Sequence, residues 1–228
     1  MTLPLYRTRP IIPPKNPRLP AAPVEYDQRF IDSTLSILRQ YFNTIDNFAQ
    51  PLTDTYGGSY LQFPYGSFYD TTNQYAESIT TAYPITLNST SFSNTVTIAS
   101  GSRITFAIAG YYNIQFSAQL ANYDNASQDI DIWFRQNGTD IASSNSRFGL
   151  APRKSAGDPY HTIGTVNLFV KAAASDYVEL VWRSSIVSSV GVGAYLEAYA
   201  TGATPTRPAT PSMIVTAQFV SANLPTTT

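Results

Sequence analysis

The sequence predicts a mainly β protein, an antiparallel sandwich preceded by an extended N-terminal arm and one α-helix. Three observations predict this fold. Prolines crowd the first residues, one stretch has apolar residues at helical spacing, and from about Tyr60 onward apolar and polar residues alternate. We therefore expect an arm over residues 1–24, an amphipathic helix and linker over residues 25–59, and a β domain over residues 60–228.

Composition limits the protein to one core, or one core with an attached helix, because it has 228 residues of which 43% are hydrophobic. Charged residues make up only 13%, about half the average share, so most of the polar surface is uncharged and suited to contacts. The chain has no cysteine, which excludes disulfides and thiolate metal sites. Stability must therefore come from packing or from oligomerisation.

The predicted arm is rich in proline, and its charged residues are all basic. Proline removes backbone donors and disfavours helix in the residue before it, so we expect an extended conformation. A disordered tail is the alternative, but a merely solvating tail has no use for so many apolar side chains. The residues predicted to anchor the arm on another protein are Leu5, Tyr6, Arg7, Arg9, Ile11, Ile12, Lys15 and Arg18.

The predicted helix has apolar residues at alternating spacings of four and three, namely Ile31, Leu35, Leu38, Phe42 and Ile45. This seam favours a short parallel coiled coil. Further apolar residues widen the face, so packing of the helix on its own β domain stays open. We expect Asp27 to favour the start of the helix and Pro51 to end it.

The β domain contains about ten or eleven alternating runs, an inventory typical of antiparallel sandwiches and jelly rolls. The Asn137-Gly138 dipeptide predicts a tight hairpin, because both residues readily adopt positive φ. The side chains predicted to fill the core are Tyr112, Ile114, Phe116, Ile130, Ile132, Val178 and Leu180.

One strand carries a resemblance to a known family. The segment AGYYNIQFSAQL, residues 109–120, is similar to the Gly-x-Tyr-x-Phe strand of the jelly rolls shared by tumour necrosis factor and the heads of complement collagen-like proteins. The ordered set YGSFYDTT, AGYYNIQFSAQL, DIWFRQNGTDI, SDYVELVW and TPSMIVTAQFV resembles β modules of tailed-phage virion proteins. The resemblance implies a homotrimer of jelly rolls. The last strand lacks the Phe-x-Gly-x-Leu ending of the complement-like branch, so ligand behaviour is not carried over.

Trp133 alternates away from the neighbouring apolar residues of its strand, so we expect it outside the core. An exposed tryptophan is costly unless something covers it. We interpret Trp133 as part of a trimer interface, with a partner-binding spot as the alternative.

Candidate chemistry is sparse. His161 is the only histidine, and no Gly-x-Ser-x-Gly motif accompanies it. Asp124, Asp129 and Asp131 lie close together, but without EF-hand spacing we expect a solvated acidic loop rather than a calcium site. The sequence therefore predicts no enzyme activity, cofactor or metal.

Together with the arm and the helix, the resemblance implies a non-enzymatic virion structural protein of a tailed phage, a trimeric capsid decoration or fibre-like component held by its arm to capsid or tail proteins. Because no signal peptide or membrane segment is evident, we expect assembly in the host cytoplasm, no membrane insertion and localisation to the virion. The arm's charges are too dispersed to predict nucleic-acid binding. A tail protein that contacts a host receptor through loops 148–160 and 202–211 is the alternative, and a surface polysaccharide hydrolase is a remote one.

Overall fold

The computed structural model describes residues 15–53 and 63–222, and the chain divides into two compact units, residues 1–62 and 63–228. In the first unit, residues 15–27 form neither helix nor strand, and helix α1 spans Gln28–Thr53. Asp27 begins the helix as its N-cap, because its Oδ1 accepts the Arg29 N–H at 2.9 Å. The expectation that Pro51 ends the helix is wrong. Proline loses its own N–H bond and crowds the carbonyl four residues earlier, but the backbone stays helical for two more residues, to Thr53.

The second unit is all β. Its strands are β1 Tyr65–Asp70, β2 Tyr83–Pro84, β3 Ser89–Asn94, β4 Val96–Ala99, β5 Arg103–Phe106, β6 Gly110–Asn122, β7 Gln128–Gln136, β8 Thr139–Asp140, β9 Ser146–Leu150, β10 Tyr160–Ala172, β11 Tyr177–Ser184, β12 Ala194–Leu196, β13 Gly202–Ala203, β14 Thr206–Arg207 and β15 Met213–Ser221.

Two antiparallel sheets form a jelly-roll sandwich. The first sheet has the order β10-β6-β15-β1-β3, with β12 also paired to β6. The second has the order β4-β5-β11-β7-β8, with β2 paired to β11 and β9 paired to β7. Strands β13 and β14 form a separate small hairpin. Sequence neighbours often lie in different sheets, so residues far apart in the chain become neighbours within one sheet.

The core lies between the two sheets. All seven side chains predicted to fill it are buried there. Rings from the two sheets meet, with the centroids of Phe116 and Phe134 5.9 Å apart and those of Phe106 and Tyr112 4.2 Å apart. The Tyr112 hydroxyl donates to the Ile108 carbonyl at 2.7 Å, and burial raises the pKa of Tyr112 to about 12. The one polar atom of this ring is thereby satisfied.

The β7–β8 connection is the predicted two-residue hairpin. Asn137 and Gly138 have φ of 49° and 82°, and Gln136 pairs directly with Thr139. The Asn137 side chain also donates to Asp176 Oδ1 at 2.8 Å and accepts the Tyr177 N–H at 3.0 Å. The turn is therefore tied to the start of β11.

The predicted strand inventory is incomplete, because several strands are too short to show alternation. Four strands, β2, β8, β13 and β14, contain two residues each. Strand β12 contains only three residues, Ala194–Leu196. The loop expected over residues 148–160 begins inside β9.

Candidate functional site

The solvent face of the first sheet carries large apolar side chains. We call this surface the apolar face; its exposed members are Tyr65, Phe92, Tyr111, Ile163, Phe169 and Ile214. Phe92 is 63% exposed and Phe169 is 61% exposed. The register of β1, β3, β6, β10 and β15 places these side chains on the side opposite to the core. Exposed apolar side chains gathered on one surface make that surface a candidate for interaction.

The apolar face is almost free of charge. Among the solvent-facing residues of β6, β10 and β15, only His161 and Lys171 can carry a charge, and they lie near opposite ends of β10. The positions between them are mostly Asn, Gln, Ser and Thr. Aromatic enrichment and charge depletion characterise the cores of protein interfaces.

Asn113 lies near the middle of this surface, opposite Phe169 on β10 and Gln218 on β15. Its Oδ1 is buried and has no hydrogen-bond partner within the described part of the chain. A buried acceptor without a donor is unfavourable.

The solvent face of the second sheet is charged. Asp131 on β7 lies directly opposite Arg147 on β9 and directly opposite Arg183 on β11. Arg147 Nε is 2.9 Å from Asp131 Oδ1, and Arg183 Nη2 is 2.6 Å from Asp131 Oδ2. The Asp131 side chain is only 3% exposed. Burial alone would raise the pKa of Asp131, but the hydrogen bonds and charges of the two arginines outweigh it and hold the pKa below its ordinary value.

This finding corrects the expected acidic loop. Asp129 and Asp131 lie in strand β7, and Asp131 is buried between guanidinium groups rather than solvated. Asp124 does lie in the turn that follows β6, where its Oδ1 accepts the Ala126 N–H at 2.8 Å. The alternation that predicts Ile130 and Ile132 in the core already places Asp131 on the outer face of the same strand, so the expectation of an acidic loop there is inconsistent with that alternation.

Trp133 also lies on the solvent face of the second sheet, half-buried and outside the core. It borders an open depression of about 380 Å³ together with Asp131, Asp140, Arg147 and Arg183. Hydrogen bonds from Arg135 and from Trp133 lower the pKa of Asp140. The assignment of Trp133 to a trimer interface stays a prediction. The exposed apolar side chains of the strands gather mainly on the other sheet.

His161 belongs to a cluster of phenols around one buried carboxylate. Glu197 accepts hydrogen bonds from Tyr123 at 2.7 Å, from Tyr195 at 3.2 Å and from Tyr199. His161 Nδ1 is 3.7 Å from Glu197 Oε2. Burial, followed by the Glu197 hydrogen bond, raises the pKa of Tyr123 to about 12, and burial also raises the pKa of Tyr195 and of Tyr199. The phenols therefore stay protonated donors that satisfy the carboxylate, which is a structural role.

The predicted seam of α1 is only partly covered. Ile31, Leu35 and Phe42 are exposed, and Leu38 and Ile45 are half-buried. Of the predicted arm residues, Lys15 and Arg18 are exposed. The arm residues Leu5, Tyr6, Arg7, Arg9, Ile11 and Ile12 lie outside the described residues.

Within residues 15–53 and 63–222, no group of three or more His, Asp or Glu side chains is arranged to hold a metal ion. No helix in the described part of the chain combines the length and apolar content needed to cross a membrane.

No protein-family model matches the chain, and no curated protein sequence matches it. Among solved structures, the globular domain of a zebrafish complement 1qA protein is similar with a TM-score of 0.40 and 10% identity. The match covers 71% of this chain and 100% of the zebrafish domain.

Proposed function

We propose that this chain is a non-enzymatic structural protein of a tailed-phage virion, and that three copies associate through the apolar face to form a capsid decoration or fibre-like component. The nearly uncharged apolar face is the observation that carries the proposal. The virion context is supported by the ordered set of β segments that resembles modules of phage virion proteins. The proline-rich, basic arm supports attachment to capsid or tail proteins.

Self-association fits the chemistry of the apolar face. Two copies of a nearly uncharged surface can approach without like-charge repulsion, and the remaining amide and hydroxyl groups can serve as donors and as acceptors. Covering the six exposed apolar side chains contributes about 1 kcal/mol each, because each is already partly covered. That total is of the order of the free energy lost on association. Polar contacts are therefore needed as well.

The arm is proposed to attach the trimer to other proteins of the particle and not to contribute to the hydrophobic core. Proline disfavours helices and the interiors of sheets, and a segment that orders on binding a partner loses conformational entropy at that step. Each arm therefore binds weakly by itself. Three arms held by one trimer bind at high effective concentration, so they act as one durable anchor.

Deletion of residues 1–24 tests the proposal. We expect the truncated protein to keep the same number of chains per assembly and the β-sheet signal in its far-ultraviolet circular dichroism spectrum. We also expect it to be absent from assembled particles. A matched variant that replaces Arg7, Arg9, Lys15 and Arg18 by Ser keeps the prolines and isolates the contribution of charge. Incorporation of the deletion variant at the normal copy number would contradict the anchoring role.

A second candidate function is a tail protein that binds a host receptor. The depression beside Trp133 favours it, because this is an open polar surface on the sheet that does not carry the apolar face. Adsorption of the purified protein to host cells would favour the receptor role, whereas binding to empty capsids would favour decoration.

A further inference from the structure

The depression beside Trp133 has features of a ligand site beyond the proposed assembly role. It is formed by three neighbouring strands, with Asp131 and Trp133 on β7, Arg147 on β9 and Arg183 on β11, and by the segment after β8 that includes Asn145. Its volume of about 380 Å³ lies in the lower part of the range for small-molecule sites. Groups held on a sheet keep their positions better than groups on loops.

The polar groups in the depression are preorganised by Asp131. Both of its carboxylate oxygens are occupied by guanidinium nitrogens, at 2.9 Å for Arg147 Nε, 3.4 Å for Arg147 Nη2 and 2.6 Å for Arg183 Nη2. The carboxylate is therefore not free to bind a cation. The Arg147 side chain is 58% exposed and that of Arg183 is 39% exposed. Each guanidinium has five N–H donors, so donors remain that face solvent at fixed positions.

Trp133 supplies the aromatic surface of the depression, half-buried on β7. Asp140 also lines the depression, and its Oδ1 accepts a hydrogen bond from Arg135 Nε at 2.7 Å. The body of the indole ring is apolar. The Asp140 side chain is 54% exposed, so it can accept further hydrogen bonds.

The charges that line the depression cancel, since Asp131 and Asp140 oppose Arg147 and Arg183. A neutral site has no general attraction for anions, and guanidinium groups already paired with a carboxylate bind another one less strongly. An aromatic ring surrounded by donors and acceptors suits a molecule with an apolar C–H surface and many hydroxyl groups. A pyranose sugar has that combination.

We propose that this depression binds one neutral sugar residue of a glycan, with the sugar's C–H surface against Trp133 and its hydroxyl groups bonded to Arg147, Arg183 and Asp140. The openness of the site to solvent leaves room for the chain on either side of that residue. This inference does not require the virion role, because a monomer would carry the same site.

Intrinsic fluorescence of the full chain tests the proposal directly. The chain has two tryptophans, and Trp182 is 1% exposed in the core, so acrylamide quenching reports mainly on Trp133. We would titrate the protein with galactose, glucose, mannose and N-acetylglucosamine in turn. At least one sugar should protect Trp133 from quenching in a saturable way, with a Kd of about 1 mM. Absence of saturable protection by all four sugars would overturn the proposal.

Substitutions test whether the sugar binds at Trp133. Because they remove the fluorophore, sugar binding is measured by saturation-transfer NMR. Trp133→Ala should weaken sugar binding at least tenfold, and Trp133→Phe should weaken it less because a ring is retained. Val190→Ala removes an exposed apolar side chain that does not line the depression, so it should leave binding unchanged. Equal binding by Trp133→Ala and the unaltered protein would refute the assignment, with thermal melting confirming that each variant is folded.

Competition with acetate and with inorganic phosphate tests whether the depression binds anions instead of sugars. If the site is neutral and specific for hydroxyl groups, neither anion should displace the sugar at equal concentration. Displacement by either anion would show an anion site formed by Arg147 and Arg183 and would contradict the proposal. Because these measurements are independent of solution mass, failure of sugar binding and failure of trimerisation are distinguishable.

Discussion

The two solvent faces of the sandwich differ in charge although both are formed by strands with the same alternation. The second sheet carries ion pairs between Arg103 and Glu179, between Arg135 and Asp140, and around Asp131. The central strands of the first sheet expose aromatic and aliphatic side chains among uncharged polar ones. A charged face is stable in water, whereas an apolar face gains from cover. This contrast is the basis of our proposal that the first sheet self-associates and that the second sheet stays open to solvent.

The largest expected effect comes from placing a charge on the apolar face. Phe169→Asp should lower the association constant by more than a thousandfold, because it both removes apolar contact and buries an unpaired carboxylate. Thr97→Asp is the matched control, since Thr97 is exposed on β4 of the second sheet. Analytical ultracentrifugation of both variants measures the change. If both variants dissociated to the same extent, or neither did, the distinction between the two faces would be lost.

Asp131→Asn tests the charged face. The substitution leaves two adjacent guanidinium groups without their shared carboxylate, so we expect the free energy of unfolding to fall by about 2 kcal/mol. The arginines are partly exposed, which keeps the loss below that of a fully buried ion pair. Urea unfolding measures the change. A variant as stable as the unaltered protein would mean that the cluster does not join β7, β9 and β11.

Acid should lower the free energy of unfolding by protonating carboxylates of the second sheet and of the turn before β11. The pKa values of Asp131, Asp140 and Asp176 are lower in the folded protein than their ordinary values. Their stabilisation is therefore present above the unfolded-state pKa of about 3.9 and is lost as the pH falls through the folded-state values. The urea midpoint should decline below about pH 4, and this decline should be shallower in Asp131→Asn. An unchanged slope in that variant would argue against Asp131 as a contributor.

The smallest expected effect is at the β7–β8 turn beside the charged face. Gly138 has φ of 82°, and a Cβ added there would meet only the Tyr177 hydroxyl, at 3.7 Å. Gly138→Ala should therefore destabilise the protein by about 1 kcal/mol through backbone strain alone. Gly157→Ala, also at φ of 82° but in the loop between β9 and β10, is a control for the general effect of positive φ. Thermal unfolding of both variants compares the hairpin with a loop position.

Alternation along the strands correctly placed the seven predicted side chains in the core and Trp133 outside it. The Asn137-Gly138 turn followed instead from the tendency of both residues to adopt positive φ. Alternation could not show that Tyr111, Ile163 and Ile214 share one surface, because that depends on how β6, β10 and β15 pair. The same limit applies to the depression. Arg147 and Arg183 lie far apart in the sequence and meet only because β9 and β11 flank β7.

Helix α1 shows a limit of a different kind. Its apolar seam and its start at Asp27 follow from local sequence, whereas its end does not, since the helix continues past Pro51 to Thr53. Local rules describe how a proline acts on its own hydrogen bond and on the residue before it. They do not determine whether the following residues complete the turn.

Sedimentation equilibrium of the unaltered full chain, over a hundredfold range of protein concentration, tests the central claim most directly. Association through the apolar face predicts a mass of about 75 kDa, three times the 25.0 kDa of one chain. A mass of 25.0 kDa that stays constant over the whole range would show that the apolar face remains uncovered and would contradict the account.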